Sequence, residues 1–126
     1  MFERDIDISR LTGRTLVKAD SDDSEYIALT MEDGAIVRFY HDQDCCEHVR
    51  LWDIVGGTVQ DLEGQKIVGC SILQGDIPPE VNYQPGESHT WTEHHLRLED
   101  ERLIKFRWLG ESNGYYSESI YISEEN

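Results

Sequence analysis

Residues 29–39, LTMEDGAIVRF, and residues 96–106, LRLEDERLIKF, share one arrangement of apolar and charged positions. In both stretches apolar residues alternate with polar ones, meet an acidic turn and then alternate again. A period of two residues is typical of a strand that is buried on one face. The pair Asp33-Gly34 is also a strong signal for a tight hairpin turn. The two stretches therefore predict two β-hairpins of the same kind.

Other segments repeat around these hairpins in the same order. Residues 11–17, LTGRTLV, resemble residues 62–68, LEGQKIV, and each hairpin is followed by a polar loop that contains an acid, at residues 45–49 and 116–120. The spacing indicates that the chain contains one unit twice, and the alternative is a chance similarity, since hairpins resemble one another. Two such units are expected to share a single core.

The repeat predicts a single domain, residues 1–126, with related halves at about 11–55 and 62–122. Many short strands separated by turn signals are typical of all-β folds. We expect a small sandwich or partly open barrel of about eight antiparallel strands, with one or two short helical turns. The strands are predicted at residues 16–19, 26–31, 35–40, 46–54, 66–73, 90–98, 102–108 and 115–122.

The segments between the strands have their own signals. Short helical turns are expected at residues 6–11 and 59–62, each followed by a glycine that can end the turn. Residues 75–88 contain all three prolines and are predicted to form a long loop. The polar tail, residues 123–126, is expected to fray.

Alternation also assigns side chains to the two faces of each strand. It places Val49, Leu51 and Asp53 on one side of their strand. It places His94 and Leu96 together on one side of theirs.

The net charge of −15, from 26 acids and 11 bases, limits the classes of partner. Such a surface repels phosphate backbones, which argues against direct nucleic-acid binding. Two interpretations remain open. The charge serves solubility alone, or it forms a face that meets a basic partner and occupies a nucleic-acid groove on that protein.

Composition also bears on the compartment. No run approaches the roughly 20 apolar residues that cross a bilayer, and the first residues do not resemble a secretory signal. The three cysteines, Cys45, Cys46 and Cys70, are an odd number, and two of them are adjacent, which strains a bond between them. We therefore expect reduced thiols and a cytoplasmic location.

Residues 40–48, YHDQDCCEH, form the densest group of ligand-type side chains. Candidate binding residues in it are His41, Asp42, Asp44, Cys45, Glu47 and His48. Imidazoles and thiolates suit zinc, so His41, Cys45 and His48 are weak metal candidates. Adjacent cysteines on a strand point to opposite faces, however, which argues against a closed zinc site. The alternative is that one cysteine packs as a small apolar residue.

Cys45 is also considered as a nucleophile, with His41 or His48 as its base. The surrounding acids, Asp42, Asp44 and Glu47, would raise the pKa of the thiol by like-charge repulsion. The sequence therefore disfavours this chemistry.

Residues 108–118, WLGESNGYYSE, are the second candidate. Asn113-Gly114 is a tight-turn pair, and the tyrosines beside it offer aromatic area with hydroxyl tips, as binding surfaces do. The candidate binding residues here are Glu111, Asn113, Tyr115, Tyr116 and Glu118. A plain hairpin loop with one tyrosine in the core is the alternative. Glu47 and Glu118 would act as an acid–base pair if both faced one cleft.

The motifs YHDQDCCE at residues 40–47 and WLGESNGYYSE at residues 108–118, together with DLEG at residues 61–64, resemble a small uncharacterised family found in phages and bacteria. The resemblance spans nearly the whole chain. It implies a phage or prophage setting and carries no activity.

We expect a non-catalytic, acidic binding protein that acts by protein–protein contact in the host cytoplasm. Its expected partner is a host protein with a basic surface, such as a defence or nucleic-acid-binding factor that it inhibits. No phosphate loop, catalytic triad order or dinucleotide fingerprint is present, so we lean against an enzyme and expect no cofactor and no membrane.

Two alternatives stay open. One is a metal-binding or small-ligand-binding protein, or an enzyme, that uses the cluster from His41 to His48, with zinc as the metal. The other is a virion or assembly component. The sequence does not specify the oligomeric state.

Overall fold

The computed structural model describes residues 3–22, 24–43, 47–85, 88–112 and 118–126. Within these ranges the chain forms antiparallel strands and two single 3₁₀ turns. The strands are β1 (Glu3–Asp5), β2 (Leu16–Ser21), β3 (Tyr26–Met31), β4 (Ile36–Tyr40), β5 (Glu47–Val55), β6 (Ile67–Gly75), β7 (Ser88–Leu98), β8 (Leu103–Ser112) and β9 (Tyr121–Glu125). The turns are η1 (Ile8–Leu11) and η2 (Val59–Leu62). The described ranges contain no helix long and apolar enough to cross a membrane.

The strands form two sheets that pack face to face. One sheet has five strands in the order β1-β9-β4-β3-β2, and the other has four in the order β5-β8-β7-β6. All pairings are antiparallel. The predicted all-β fold of antiparallel strands is confirmed, as a sandwich of two sheets.

The fourth strand of each half lies in the sheet of the other half. β5 follows β4 in the chain but pairs with β8, and β9 follows β8 but pairs with β4. The chain therefore passes between the sheets twice, once after β4 and once after β8.

Backbone hydrogen bonds join the two segments that repeat at the start of each half. The Gly13 N–H donates to the Ile67 carbonyl, and the Gly64 N–H donates to the Leu16 carbonyl. The bridge between Thr15 and Lys66 lies between these bonds. Because each bond has a counterpart with the roles exchanged, an approximate two-fold axis passes through this contact, which we call the seam.

The two hairpins correspond in the same way. The Glu32 N–H donates to the Thr15 carbonyl, and the Glu99 N–H donates to the Lys66 carbonyl. The turn position held by Gly34 has a φ of 93°, and Glu101 has a φ of 75° at the equivalent position. These correspondences agree with a repeated unit, while its boundaries at about 11–55 and 62–122 stay a prediction.

The core lies between the sheets and contains apolar side chains from both. The ring centroids of Phe39 and Phe106 are 5.4 Å apart in an edge-to-face arrangement. The predicted faces are correct for His94 and Leu96, which are both buried.

The prediction for Asp53 is wrong. A bulge between Leu51 and Asp53 shifts the register of β5, so Leu51 is buried opposite Trp108 and Asp53 lies opposite Arg107. There the carboxylate accepts two hydrogen bonds from the guanidinium of Arg107, each 2.6 Å long. The extra residue of the bulge turns Asp53 away from the core.

The prediction of a frayed tail is also wrong. Residues 121–125 form β9, which lies between β1 and β4, and Ser123 and Glu124 are buried. Glu124 accepts hydrogen bonds from Arg14 at 2.8 and 3.3 Å, which balances its charge inside the fold. The predicted strand over residues 115–122 overlaps β9 by two residues, 121 and 122, and residues 115–117 lie outside the described ranges.

The long loop after β6 packs on the outer face of the four-stranded sheet. Val81 forms a small second core with Trp91 and Leu109. Tyr83 extends this core through an edge contact with Trp52, at 5.2 Å between ring centroids. The loop therefore covers one face of the sheet.

His94 makes the stability of the fold depend on pH. Its ring contacts Phe39 and Trp108, and burial, together with the charge of His95, lowers the pKa of His94 to about 4. Between pH 6.5 and 4 the unfolded chain binds a proton at this ring that the folded chain does not. The free energy of unfolding should therefore fall by about 3 kcal/mol as the pH drops through this window.

Chemical denaturation at a series of pH values tests this. His94→Phe should reduce the slope of the curve between pH 6.5 and 4, while Val17→Ala, at an exposed residue that does not titrate, should leave the slope unchanged. An identical slope in wild type and His94→Phe would contradict the prediction.

Candidate functional site

The two sequence motifs meet at one end of the sandwich. His41, directly after β4, places its Nε2 3.1 Å from Glu47 Oε1, and its Nδ1 contacts the carbonyl oxygen of Ser119. The same ring stacks on Tyr121, with centroids 5.9 Å apart. His41 and Glu47 come from the first motif, and Ser119 directly follows the second. The convergence follows from the strand exchange, because both crossings between the sheets occur at this end.

Both ring nitrogens of His41 are engaged. The carbonyl oxygen of Ser119 can only accept, so Nδ1 carries a proton and donates it. Nε2 lies within hydrogen-bonding distance of Glu47 Oε1, at 3.1 Å. Both side chains are only 2% exposed. The pair therefore joins the two motifs and presents neither ring nitrogen to a metal or a thiol.

The described residues contain no group of three His, Cys, Asp or Glu side chains placed to hold a metal. His48 is exposed on β5, and its Nδ1 lies 3.2 Å from a guanidinium nitrogen of Arg50. Cys45, the third weak zinc candidate, lies outside the described ranges, so the zinc hypothesis stays a prediction.

Glu118 fastens the chain just before β9 to the four-stranded sheet. Its carboxylate accepts hydrogen bonds from the hydroxyls of Ser88 and Thr90, both at 2.8 Å, and from Ser112. Burial raises the pKa of Glu118, but these three bonds and the nearby His89 together lower it by more than burial raises it. The pKa of Glu118 therefore lies below its ordinary value. An ionised carboxylate held by three hydroxyls is a structural clamp rather than a proton donor.

Gly110 provides the room for this clamp. A methyl group at Gly110 would lie 2.9 Å from the Cβ of Glu118 and 3.0 Å from its carbonyl oxygen. Real contacts are not that short, so the Gly-Glu-Ser run at residues 110–112 allows Glu118 to approach β8 closely.

Glu111 belongs to the outer face of the four-stranded sheet. Its carboxylate accepts a 2.7 Å bond from the Tyr83 hydroxyl and a 3.2 Å bond from Arg50. The Arg50 guanidinium in turn lies 5.6 Å from the ring centroid of Trp52 and 5.5 Å from that of Tyr83. Glu111 therefore helps to hold the long loop in place.

A row of three tyrosines crosses the outer face of the five-stranded sheet beside this end. Tyr26 pairs with Tyr40 in register, and Tyr40 pairs with Tyr121, with 5.8 Å between the last two ring centroids. Tyr26 is 40% exposed and Tyr121 is 36% exposed. We call this row the tyrosine strip. Because His41 stacks on Tyr121, the strip continues into the paired motifs.

Sequence reasoning did not find the tyrosine strip. Each of its members is adjacent to a buried residue, namely Ile27, Phe39 or Ile122, so alternation is the signal that could have placed it on the outer face. What the sequence did not reveal is that β9 pairs with β4, which brings Tyr121 beside Tyr40.

Acidic side chains surround the strip. Glu25 and Asp42 are exposed in the loops next to Tyr26 and Tyr40, and Asp20 is exposed on β2, which neighbours β3. Two bases on these strands are each paired with an acid, since Lys18 lies 3.5 Å from Asp20 and Arg38 lies 3.1 Å from Glu125.

Asp22 fixes one end of the tyrosine strip. A single carboxylate oxygen accepts the backbone N–H groups of Ser24, Glu25 and Tyr26, at 3.1, 2.6 and 3.0 Å. Burial raises the pKa of Asp22, but these backbone bonds together lower it by more, so the pKa lies below its ordinary value. The ionised side chain thereby sets where β3 begins.

The remaining candidates from the sequence cannot be placed. Those that lie outside the described ranges are Asp44, Cys45, Asn113, Tyr115 and Tyr116.

A comparison with protein-family models gives one match, over residues 9–122, described as "Domain of unknown function (DUF7448)". The chain belongs to this family. The family description names no activity, in agreement with the resemblance to an uncharacterised family. Neither the curated proteins nor the solved structures contain a match.

Removing the clamp at Glu118 should destabilise the fold. Glu118→Ala leaves three hydroxyls without their acceptor, so we expect a loss of about 3 kcal/mol in the free energy of unfolding. Urea denaturation measures it. Glu118→Gln keeps an acceptor oxygen and should lose less, and Glu101→Ala, at an exposed turn, serves as the control. Equal stability of Glu118→Ala and wild type would show that the clamp contributes nothing.

Proposed function

We propose that this protein is a non-catalytic binding protein that docks the tyrosine strip and its acidic surroundings onto a basic surface of another protein. The observation that carries the proposal is the in-register row of Tyr26, Tyr40 and Tyr121 on an open sheet face. Tyrosine is enriched at the centres of interfaces, because its ring offers apolar area while its hydroxyl stays hydrogen-bonded.

Charge supports a basic partner. The chain has a net charge of −15, and Asp20, Glu25 and Asp42 are exposed around the strip. Acids around an aromatic centre steer a basic surface into contact and exclude acidic ones. A surface that normally holds phosphates is basic, so a nucleic-acid-binding factor of the host is the partner class we propose.

The state of the titratable groups supports a binding role over a catalytic one. The Nε2 of His41 is in contact with Glu47 Oε1, and the carboxylate of Glu118 accepts hydrogen bonds from three hydroxyls. These groups stiffen the end of the sandwich beside the strip. A rigid support lowers the ordering cost of binding, as an interface requires. The phage or prophage setting implied by the sequence resemblance fits inhibition of a host defence factor.

Capture from a bacterial lysate with quantitative mass spectrometry tests the tyrosine strip. The paired change Tyr26→Ala and Tyr121→Ala should abolish capture of a basic protein, because it removes the aromatic centre of the contact. Val55→Ala, at a residue 38% exposed on the other sheet, is the control and should retain capture. Nucleic acid added in excess should compete with this protein for the captured partner and so reduce capture. A partner that binds the tyrosine variant as well as wild type would contradict the proposal.

Association kinetics test the acidic surroundings with the captured partner. Asp20→Asn, Glu25→Gln and Asp42→Asn together should slow association about tenfold at low salt, because they remove steering charge. The matched control neutralises three exposed acids at the opposite end of the hairpins, Glu32, Glu99 and Glu101, and changes the net charge equally. Equal slowing by both sets of substitutions would show that only total charge matters. A wild-type association rate that is the same at low and high salt would argue against steering by charge.

A further inference from the structure

β6 is an edge strand that lacks charged side chains, one of the usual protections against pairing. It ends the four-stranded sheet, and its sequence, IVGCSILQG at residues 67–75, contains no charged residue, although 29% of the chain is charged. The other strands that end a sheet in the described ranges, β1, β2 and β5, each contain both acidic and basic residues. Charges on an edge are a common device that prevents strands of other molecules from adding to it.

The related half of the molecule shows what β6 lacks. On β2, the carboxylate of Glu63 accepts the backbone N–H of Ala19 at 3.1 Å and so covers that edge. The equivalent of Glu63 in the other half is Thr12, whose hydroxyl lies 3.6 Å from the Sγ of Cys70. A carboxylate covers the edge of β2, and a short neutral side chain stands at the matching place beside β6.

Three side chains along this edge are apolar and exposed. Val68 is 44% exposed, Ile72 is 47% exposed and Leu73 is 50% exposed. Most large apolar side chains of this protein are buried. Three exposed ones on a single edge strand therefore indicate a surface that is covered in use.

We propose that β6 pairs with β6 of a second copy of this chain, antiparallel, about a two-fold axis at Ser71. The two four-stranded sheets then become one continuous sheet of eight strands. A two-fold interface brings the same patch of both copies together, and identical antiparallel strands meet this requirement without any further surface.

The charges next to β6 point to a second copy as the occupant. Lys66 and Asp76 flank the uncharged strand, five residues before and five residues after Ser71. Both are exposed, and the carboxylate of Asp76 has a further contact with His89 at 3.8 Å. Antiparallel pairing centred on Ser71 places Lys66 of each copy near Asp76 of the other. Elsewhere two copies with a charge of −15 each repel one another, so an uncharged strand with complementary ends is where they can approach.

The seam limits the length of the new ladder. Residues 13 and 14 already bond to the outward N–H and carbonyl of Ile67, so pairing begins after that residue. On β2 the outward N–H belongs to Ala19, and the matching residue on β6 is Cys70. Outward groups alternate along a strand, which adds Ile72 and Gln74. In the proposed register Cys70 of one copy is opposite Ile72 of the other, so these groups satisfy each other.

Charge reversal tests the register. Sedimentation equilibrium in about 0.15 M salt should show a reversible dimer of the wild-type chain over about 10 to 300 µM. Lys66→Glu alone or Asp76→Lys alone places like charges opposite each other twice and should weaken the dimer about tenfold. The double variant restores opposite charges and should return to within about threefold of wild type. A monomeric wild type, or a double variant as weak as the single variants, overturns the proposal.

Backbone changes test the strand pairing itself. Ile72→Pro removes an outward N–H and should abolish the dimer, while leaving the bonds from β6 to β7 in place. Val17→Lys, at a residue 52% exposed on β2, is the control and should still form the dimer. In wild type, exchange of the amides of Cys70, Ile72 and Gln74 should slow as protein concentration rises. A dimer in which the exchange of these amides does not slow overturns the proposal. A β6 edge that binds an extended segment of another protein but no second copy overturns it as well. Should Ile72→Pro fail to fold, the charge-reversal series decides, because Lys66 and Asp76 are exposed.

Discussion

The reciprocal backbone hydrogen bonds of the seam are the contact on which the rest of the sandwich depends. They join the start of β2, at the edge of one sheet, to the start of β6, at the edge of the other. Leu11, Leu16, Leu62 and Ile67 flank this contact, and all four are completely buried. The seam thereby closes one side of the sandwich with main-chain bonds, whose directions leave little freedom in how the two halves meet.

The opposite side of the sandwich is closed by strand exchange. Because β5 and β9 each pair with the other half, the chain leaves one sheet for the other near His41 and again near Ser112. Both crossings lie at the same end, since the two halves are related by the axis at the seam. The candidate site therefore results from symmetry: segments distant in sequence, at Glu47 and at Glu118, are brought to the two crossings, where His41 and Ser112 hold them.

The sequence predicted the elements of this fold better than their partners. Strand β3 and turn η2 occur at the predicted residues, because both are decided by local signals: alternation in one case, and apolar spacing with a following glycine in the other. Alternation gives the face of a residue but not the neighbouring strand, so the pairing of β9 with β4 and the tyrosine strip were not foreseen. Asp53 and Glu124 were misplaced for a related reason. A bulge and a distant arginine decide their positions, and neither leaves a local pattern.

The distribution of charge separates the two proposed surfaces. The tyrosine strip lies on the five-stranded sheet among acids, where a second copy is repelled and a basic protein is attracted. The edge of β6 lies on the four-stranded sheet without charges, where a second copy meets the least repulsion. Because the surfaces are on different sheets, the proposed binding of a partner and the proposed pairing with a copy do not compete. A pair of copies joined at β6 presents two tyrosine strips on one assembly, and two linked sites bind a repeated or two-fold symmetric basic target more tightly than one site does. A small acidic protein with a single modest contact surface can in this way reach an affinity that the surface alone does not provide.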